Sequence, residues 1–533
     1  MMRMKNSLKM AQPNALGAKG SGATYVWRKS ARCAALTLAG ITTAMIMAGC
    51  SMDPTYHRPA APMSTQYDPS GGVATVRGTA GQPAPTARLA ADEASTNNDQ
   101  TTAPVLADWQ AFMLDPYLRQ LITLTLQNNR DLRVAALQVA EYEAQYRIAR
   151  ADLGPSISVT GTNTRSHSSG VTSGSSDVSL GMSSWEIDFF GRLRSLKRQA
   201  LENYLSTDAA RRSTQLSLVS TTATDYLTWL SDRALLNVAR KTMISNQETY
   251  ETTLKAAQLG NEAMEDVQEA RTSLSSAKSS VASYERAVAQ DRNNLIAAIG
   301  APLPEGFPDD RALDDGLLFA NIPAGLPSEL LIRRPDIMEA EHALKAANAY
   351  VGSARAAFFP KISLTANAGT SSSQLSQLFK AGTGAWTFEP SISVPIFSFG
   401  ELKASLDVAK VEKEIEVADY EKAIQTAFKE VSNALAGRAT YDEQLAADEE
   451  YVDAAQKYYD TALGRYKAGL DSFLTLLTAQ RTLYTAQTQL ISDRLSQQSN
   501  LITLYTALGG GWSADAHAES SPVQMTVDEK KAP

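Results

Sequence analysis

Between Leu330 and Thr365 the hydrophobic pattern changes period once. Pro335 stands where a first helical turn tolerates it, since its missing N–H needs no partner there. Ala, Glu and Leu fill the run that follows, and Pro360 ends it. Past Pro360, Ile362, Leu364 and Ala366 alternate with Lys361, Ser363 and Thr365, the two-residue period of a half-buried strand. The same switch occurs upstream. Asp131 to Thr160 lies on Asp336 to Thr365 at an offset of 205 without a gap. From Gly191 onward the offset is 209, pairing Gly191 with Gly400, Tyr250 with Tyr459, Gly260 with Gly469 and Gly300 with Gly509. The chain is a tandem duplication with a unit of about 200 residues, too long for a solenoid repeat and suited to two copies of one architecture.

Taken in order, the first copy predicts a helix from Ala107 to Leu153, with Asp115-Pro116 as a start signal and Gly154-Pro155 as a stop. Strands follow at Ile157 to Thr164 and Val178 to Ile187, joined by a Ser/Gly-rich loop from Arg165 to Ser176. No proline occurs between Arg192 and Gly300, so Arg192 to Gln258 predicts one helix of about 100 Å. Leu216, Val219, Ala223, Tyr226, Leu230, Ala234 and Val238 mark a seam near coiled-coil spacing. Leu259-Gly260-Asn261 turns the chain, and a return helix runs from Glu265 to Ile299. The second copy repeats this order. Its strands are Ile362 to Ala368 and Ala385 to Ile396, around a loop from Gly369 to Gly384. Its long helix begins at Glu401 with Val411, Ile415, Ala418, Ile424, Phe428, Val431 and Leu435 on the seam. Gly469 turns the chain, and Leu470 to Leu508 returns.

Such helices are too narrow in their apolar face to stand alone, and the strands pose a sharper problem. A sheet inside a bilayer must close, because an open edge leaves backbone hydrogen bonds unmade in hydrocarbon. Four strands cannot close alone; two chains would supply about eight and three about twelve, the latter with room for a channel. The other architecture the pattern allows is a soluble periplasmic coiled-coil adaptor with a small sheet. Strands of about ten residues and the aromatics Trp185, Trp386 and Phe388 favour the barrel.

Composition adds an address. Residues 1–49 hold seven basic residues and no Asp or Glu, and an apolar run from Ala34 to Ala48 follows, as in a secretory signal. The run is short for a membrane span. It ends Met47-Ala48-Gly49-Cys50, where a small pair precedes a cysteine. Without residues 1–49 the chain carries 43 basic against 57 acidic residues, a balance that argues against nucleic acid. Met52 to Val105 is rich in Pro, Ala, Ser, Thr and Gly and predicts an extended, partly disordered tether. The domain reading is a signal peptide over 1–49, a tether over 50–106, a first repeat over 107–300, a linker over 301–327, a second repeat over 328–511 and a loose tail over 512–533.

Chemistry is sparse. The four histidines His57, His167, His342 and His517 fall in a tether, a loop, a helix and a tail. No HExxH, paired cysteine, GxSxG or phosphate loop is present, so no metal, cofactor or catalytic site is expected.

The motifs Arg333-Arg334-Pro335-Asp336-Ile337, Phe358-Phe359-Pro360 and Ser184-Trp185-Glu186-Ile187-Asp188-Phe189-Phe190-Gly191 resemble, in order, the TolC-like outer-membrane channels of tripartite efflux pumps, in their lipoprotein branch, the NodT family. The resemblance covers roughly Cys50 to Trp512. It implies an α+β membrane protein with four transmembrane β-strands and long coiled-coil helical hairpins per chain. Three chains would form a 12-stranded β-barrel and a periplasmic α-helical barrel. The implied partners are two further copies, a periplasmic adaptor, an inner-membrane RND-type transporter and outer-membrane lipid. The role is a passive exit duct, not an enzyme. Met47-Ala48-Gly49-Cys50 resembles a lipobox with Cys50 as the lipidated residue, and Ser51 favours the outer membrane over retention. The family's periplasmic tips fall at Gly260 and Gly469. There Arg465, Tyr466, Asp471, Thr475 and Thr478 are expected at the gate, and Gly260, Gly469, Leu470, Asp266 and Glu269 at the adaptor. Related channels often carry acidic residues where this chain has Thr475 and Thr478, while the first copy has Asp266 and Glu269 at the matching positions. A neutral threonine ring is the expectation, held by polar ties such as Arg465 or Asp471.

Overall fold

The computed structural model describes residues 51–62, 108–304, 311–313, 316–318 and 334–510. The expected signal, Cys50, most of the tether and the tail lie outside the described residues. The chain divides into two compact units: a sheet unit built from Pro155–Arg194 and Arg355–Phe397, and a helical unit that holds most of the remainder.

The sheet unit contains β1 (Ser158–Ser168), β2 (Val171–Glu186), β3 (Lys361–Ser372) and β4 (Gly384–Ser393). The order is β1-β2-β3-β4 and every pairing is antiparallel, so each copy of the repeat contributes one hairpin. β1 and β2 are longer than the apolar alternation predicts. The expected loop from Arg165 to Ser176 is paired strand, with Arg165 opposite Gly174 and His167 opposite Thr172. Hydroxyls and imidazole hold it: Ser166 and Ser173 Oγ lie 2.8 Å apart, and His167 Nδ1 lies 2.9 Å from Thr172 Oγ1. Polar cross-strand pairs leave no hydrophobic signature, which is why composition read as loop. The turn is only Ser169-Gly170, both at positive φ, the geometry a tight hairpin needs. β4 ends at Ser393, short of the expected Ile396. At the end of β2, Glu186 accepts two hydrogen bonds from Arg192, at 2.9 and 2.8 Å, and Asp188 accepts the Arg194 N–H at 2.8 Å. These ties fix the strand-to-helix corner.

The helical unit holds α1 (Trp109–Phe112), α2 (Pro116–Asn128), α3 (Arg130–Ala151), α4 (Arg192–Gln258), α5 (Met264–Ile299), α6 (Pro335–Ala356), α7 (Glu401–Lys467) and α8 (Phe473–Ala507). The single helix expected from Ala107 to Leu153 is broken twice. Asp115 caps α2 by accepting the Tyr117 N–H, and Asn129 caps α3 by accepting the N–H groups of Asp131 and Leu132. Side chains that accept N–H bonds locally compete with helix continuation. α4 and α7 are each 67 residues long, and the 209 offset lays one on the other end to end.

The core joins α2, α4, α5, α7 and α8 around Leu118, Tyr226, Leu230, Leu295, Tyr420, Val431 and Tyr505. Phe112 stacks on Tyr505 with ring centroids 4.2 Å apart. The Tyr226 hydroxyl donates to Asp115 at 2.8 Å, and burial pushes it above its ordinary range. Buried Arg334 bridges Asp336, Glu430 and the Ala507 carbonyl, tying the start of α6 to α7 and α8. The expected seam residues Val219, Ala223, Tyr226 and Leu230 are buried, as are Ile424, Val431 and Leu435. Val411 and Ile415 are not: both are more than half exposed. Among the described residues of the helical unit, none covers these two side chains.

The tether reading needs correction over its first residues. Asp53 to Arg58 form a strap on the helices. Asp53 accepts from Ser195 and pairs with Arg198, the Pro54 carbonyl accepts from Asn348, and Arg58 pairs with Glu341. Tyr56 donates to the same Glu341. A Cβ on Gly352 would overlap the Asp53 side chain and sit 2.9 Å from its Cα. Ionic and hydrogen-bonding partners, not apolar periodicity, order this segment.

Candidate gate at the helical turns

α4 and α7 both end in the same turn. The Asn261 N–H donates to the Ala256 carbonyl at 2.9 Å and the Gly260 N–H to that of Ala257 at 3.0 Å. In the second copy the Leu470 N–H donates to Arg465 and the Gly469 N–H to Tyr466, both at 2.9 Å. This pair of backward bonds needs a left-handed residue, and Gly260 and Gly469 supply it at φ 78° and 71°. Ser472 then caps α8 by accepting the Thr475 N–H. Leu259 and Leu470 stand exposed at the two tips.

The expected gate residues separate into two groups. Arg465 and Asp471 form one ion pair of 2.6 Å across the second turn. It staples the turn to itself and does not reach the first hairpin. Thr475 and Thr478 also bond locally: Thr475 Oγ1 lies 3.2 Å from Ser472 Oγ, and Thr478 donates to the Leu474 carbonyl. Tyr466 is different. It is half-buried, its ring meets Phe473 edge-on at 6.0 Å, and its hydroxyl lies 3.0 Å from Thr253 Oγ1 on α4. Burial raises its pKa, and the carboxylates of Glu262 and Asp266 push in the same direction. Among the expected gate residues, Tyr466 is therefore the side chain that links the second hairpin to the first.

Further ties run up the helices. Ser245 and Tyr459 hydroxyls are 2.8 Å apart, and Gln480 donates to Ser245 and Thr249. Ala270, Phe473 and Leu477 form a small apolar plug between them. Glu269 reaches Arg481 on α8 at 3.9 Å. Asp266 and Glu269, expected to face outward or towards an adaptor, thus act on groups of the second hairpin. Sequence reasoning missed Thr253, Glu262 and Phe473. Thr253 and Phe473 are ordinary helix residues and Glu262 lies in the first turn, and only the packing of one hairpin on the other shows their role. Beside the plug, α4, α5 and α8 form a half-open cavity of about 210 Å3 whose lining includes Asn246, Ser273, Leu477 and Gln480. Asn246 Oδ1 and Ser273 Oγ have no partner there, the condition under which buried water is held.

A sheet with two open edges, joined in sequence to two long hairpins that meet through hydroxyl ties and a small apolar plug, defines a class: a channel subunit that completes itself by assembly. The chain belongs to the outer membrane efflux protein family, whose model matches residues 121–301 and 326–510. It is similar to the toluene efflux pump outer membrane protein TtgC of Pseudomonas putida, 48% identical over 88% of this chain and 94% of that one. The cation efflux system protein CusC of Escherichia coli is 38% identical over 88% of this chain and 97% of that one. Among solved structures, the open state of the Neisseria gonorrhoeae MtrE outer membrane channel matches with a TM-score of 0.75 at 35% identity, covering 87% of this chain and 98% of that one.

Proposed function

We propose that the chain is the exit duct of a tripartite efflux system. Three copies form the channel, a periplasmic adaptor and an inner-membrane RND-type transporter supply the rest, and drugs or other toxic organic molecules leave through it without chemistry. One observation carries this reading. The four-stranded sheet has β1 and β4 as open edges and leaves Val159, Trp386, Phe388 and Ile392 exposed. In water such edges and faces invite aggregation; in a bilayer they demand closure, which about twelve strands from three copies provide. The organic cargo is supported by relatives named for toluene and antibiotic efflux at 48% identity, against 38% for the cation system. The periplasmic end is the pair of glycine turns, with Arg465, Tyr466, Asp471, Thr475 and Thr478 at the gate and Gly260, Gly469 and Leu470 offered to the adaptor. Asp266 and Glu269 serve the tie between hairpins in addition to any adaptor contact.

Native mass of the detergent-extracted outer-membrane fraction tests the reading, followed by planar-bilayer recording. A mass of three chains with a low closed conductance is expected. A soluble periplasmic monomer would move the protein to the adaptor class.

A further inference from the structure

The half-open cavity beside the plug has walls from both hairpins, α4 and α5 of the first and α8 of the second. Ala239, Ala277 and Leu477 make part of it apolar, and Tyr484 gives it an aromatic side. Two buried oxygens in its wall, Asn246 Oδ1 and Ser273 Oγ, have no hydrogen-bond partner. Asn246 is 8% exposed, and its amide nitrogen donates to the Ser273 carbonyl at 3.2 Å, which leaves Oδ1 as an idle acceptor. The repeat shows that the helices do not need these groups in order to pack. At the offset of 209, Asn246 falls on Ala455 and Ser273 on Thr482. Ala455 is buried and apolar, and the Thr482 hydroxyl donates to the Thr478 carbonyl at 2.9 Å. The second hairpin thus leaves neither oxygen over at this level. In the first hairpin a buried acceptor stands unmet at a cost in stability, and a ligand bearing a hydroxyl would meet it.

We propose that this cavity is a binding site for a small neutral phenol, a single aromatic ring with one hydroxyl, and that its occupant holds the two hairpins together. Size selects the ring. A cavity of about 150 Å3 admits benzene, so one of about 210 Å3 admits a benzene ring with a short substituent. The apolar wall and Tyr484 take the ring. The ligand hydroxyl donates to Asn246 Oδ1, and the Ser273 hydroxyl turns to suit it. Charge argues for a neutral ligand. Arg481, the charged residue in the lining, already faces Glu269 at 3.9 Å, so the cavity offers no unpaired charge. The consequence follows from linkage: a ligand that touches α4, α5 and α8 together favours the packing in which they meet. Asn246 lies seven residues from Thr253 on α4, about 10 Å along the helix, so an occupied cavity reinforces the Tyr466–Thr253 tie. Occupation keeps the gate shut. That effect rests on the duct reading above, whereas the binding itself does not.

The full chain, extracted and transferred to amphipol, is dialysed to equilibrium against 4-ethylphenol and, separately, against ethylbenzene, which has the same outline without the hydroxyl. Uptake by amphipol alone is subtracted. Binding of 4-ethylphenol that saturates near one molecule per chain is expected, about tenfold tighter than that of ethylbenzene, the ratio one hydrogen bond to a buried acceptor supplies. Asn246→Leu should abolish the preference between the two probes. Ser276→Leu, which fills the cavity, should abolish saturable binding of both, and Ser280→Leu is a second filling variant should the first not fold. Uptake that never saturates, or parent-like binding in a folded filling variant, overturns the site. Equal affinity for the two probes, or a preference that survives Asn246→Leu, overturns the role of the hydroxyl. In planar bilayers 4-ethylphenol should lower the open conductance of the parent chain and leave that of the filling variant as it was. Saturable binding without that fall overturns the hold on the hairpins. A chain that binds the probe but never conducts overturns the duct reading and leaves the site standing.

Discussion

At the scale of the residue, closure is expected to depend on a few polar atoms placed beside a small apolar plug. The Tyr466 hydroxyl reaches Thr253 at 3.0 Å, whereas the shorter Arg465–Asp471 pair stays within its own turn. Open conductance in planar bilayers should therefore rise most for Tyr466→Phe, less for Asp471→Ala and least for Asp266→Ala. Tyr466→Phe combined with Thr253→Val should add little to either alone, as for two ends of one bond. A larger rise for Asp266→Ala would transfer the gate to the first copy. A second residue responds to pH. Asp291 on α5 sits at about 6, raised first by burial and then by Asp232, with Asp225 acting in the same direction. An acid raised in the folded chain binds its proton more tightly there, so the stability it lends is full at low pH. That stability is lost as pH rises from about 4 through about 6. Asp291→Asn removes the ionisable group, so its Tm in detergent should exceed that of the parent chain at about pH 8 and approach it near about pH 3. Equal Tm values at both pH values would place Asp291 in water.

At the scale of the element, the sequence was legible where physics is periodic or punctuated. The 209 offset predicted two long helices of equal length, and Gly260 and Gly469 marked both turns, because a left-handed residue after a helix favours glycine. It was opaque where polar groups do the ordering. The β1–β2 extension rests on Ser and Thr hydroxyls, and the strap from Asp53 to Arg58 rests on Arg198, Asn348 and Glu341. The α2–α3 break had a signal, since Asn129 before Arg130-Asp131 is a good cap. Repeat identity also conceals a change of sign. Arg240 pairs with Glu285 across α4 and α5, and the equivalent positions hold Glu449 paired with Arg494 across α7 and α8. The geometry was kept and the charges were exchanged, which a search for matching residues passes over. Burial decides the seam. Leu230 and Val431 are each 1% exposed, so an aspartate at either site places a carboxylate in the core at a cost of several kcal/mol. Leu230→Asp and Val431→Asp should each lose the folded trimer by native mass, whereas Val408→Asp, on an exposed stretch of α7, should keep the chain folded. The strap offers a separate test. Gly352→Val has no room beside Asp53, and cleavage by a protease added to extracted protein should then extend into residues 53–62.

At the scale of the whole molecule, two devices are expected to bind the protein to its membrane, and they can be separated. The first is the lipid expected at Cys50, read from a basic and apolar leader ending Met47-Ala48-Gly49-Cys50. Mass spectrometry of the mature N-terminus should find acyl groups there, and an unmodified terminus starting elsewhere excludes them. The second is the sheet. An acyl anchor alone gives modest, reversible attachment. A closed barrel does not leave the bilayer, since leaving would expose its whole apolar outer band and, on opening, every edge hydrogen bond. The two devices therefore predict different outcomes for Cys50→Ser behind a cleavable signal. If only the lipid held the chain, the variant would appear in the periplasm as soluble protein. With β1 of one copy paired to β4 of the next around the ring, it remains in the outer membrane and keeps its three-chain mass. The strap would give such a lipid a second use. Asp53 lies three residues from Cys50 and is fastened to Ser195 and Arg198, so chain length alone keeps Cys50 within about 11 Å of a fixed point on the protein. A lipid at Cys50 would then orient the chain while the barrel assembles, and its loss should slow the appearance of trimer in a pulse-chase without lowering the final yield. Complete release of Cys50→Ser from the membrane would sink the barrel, and unchanged assembly kinetics would remove the lipid from the folding path.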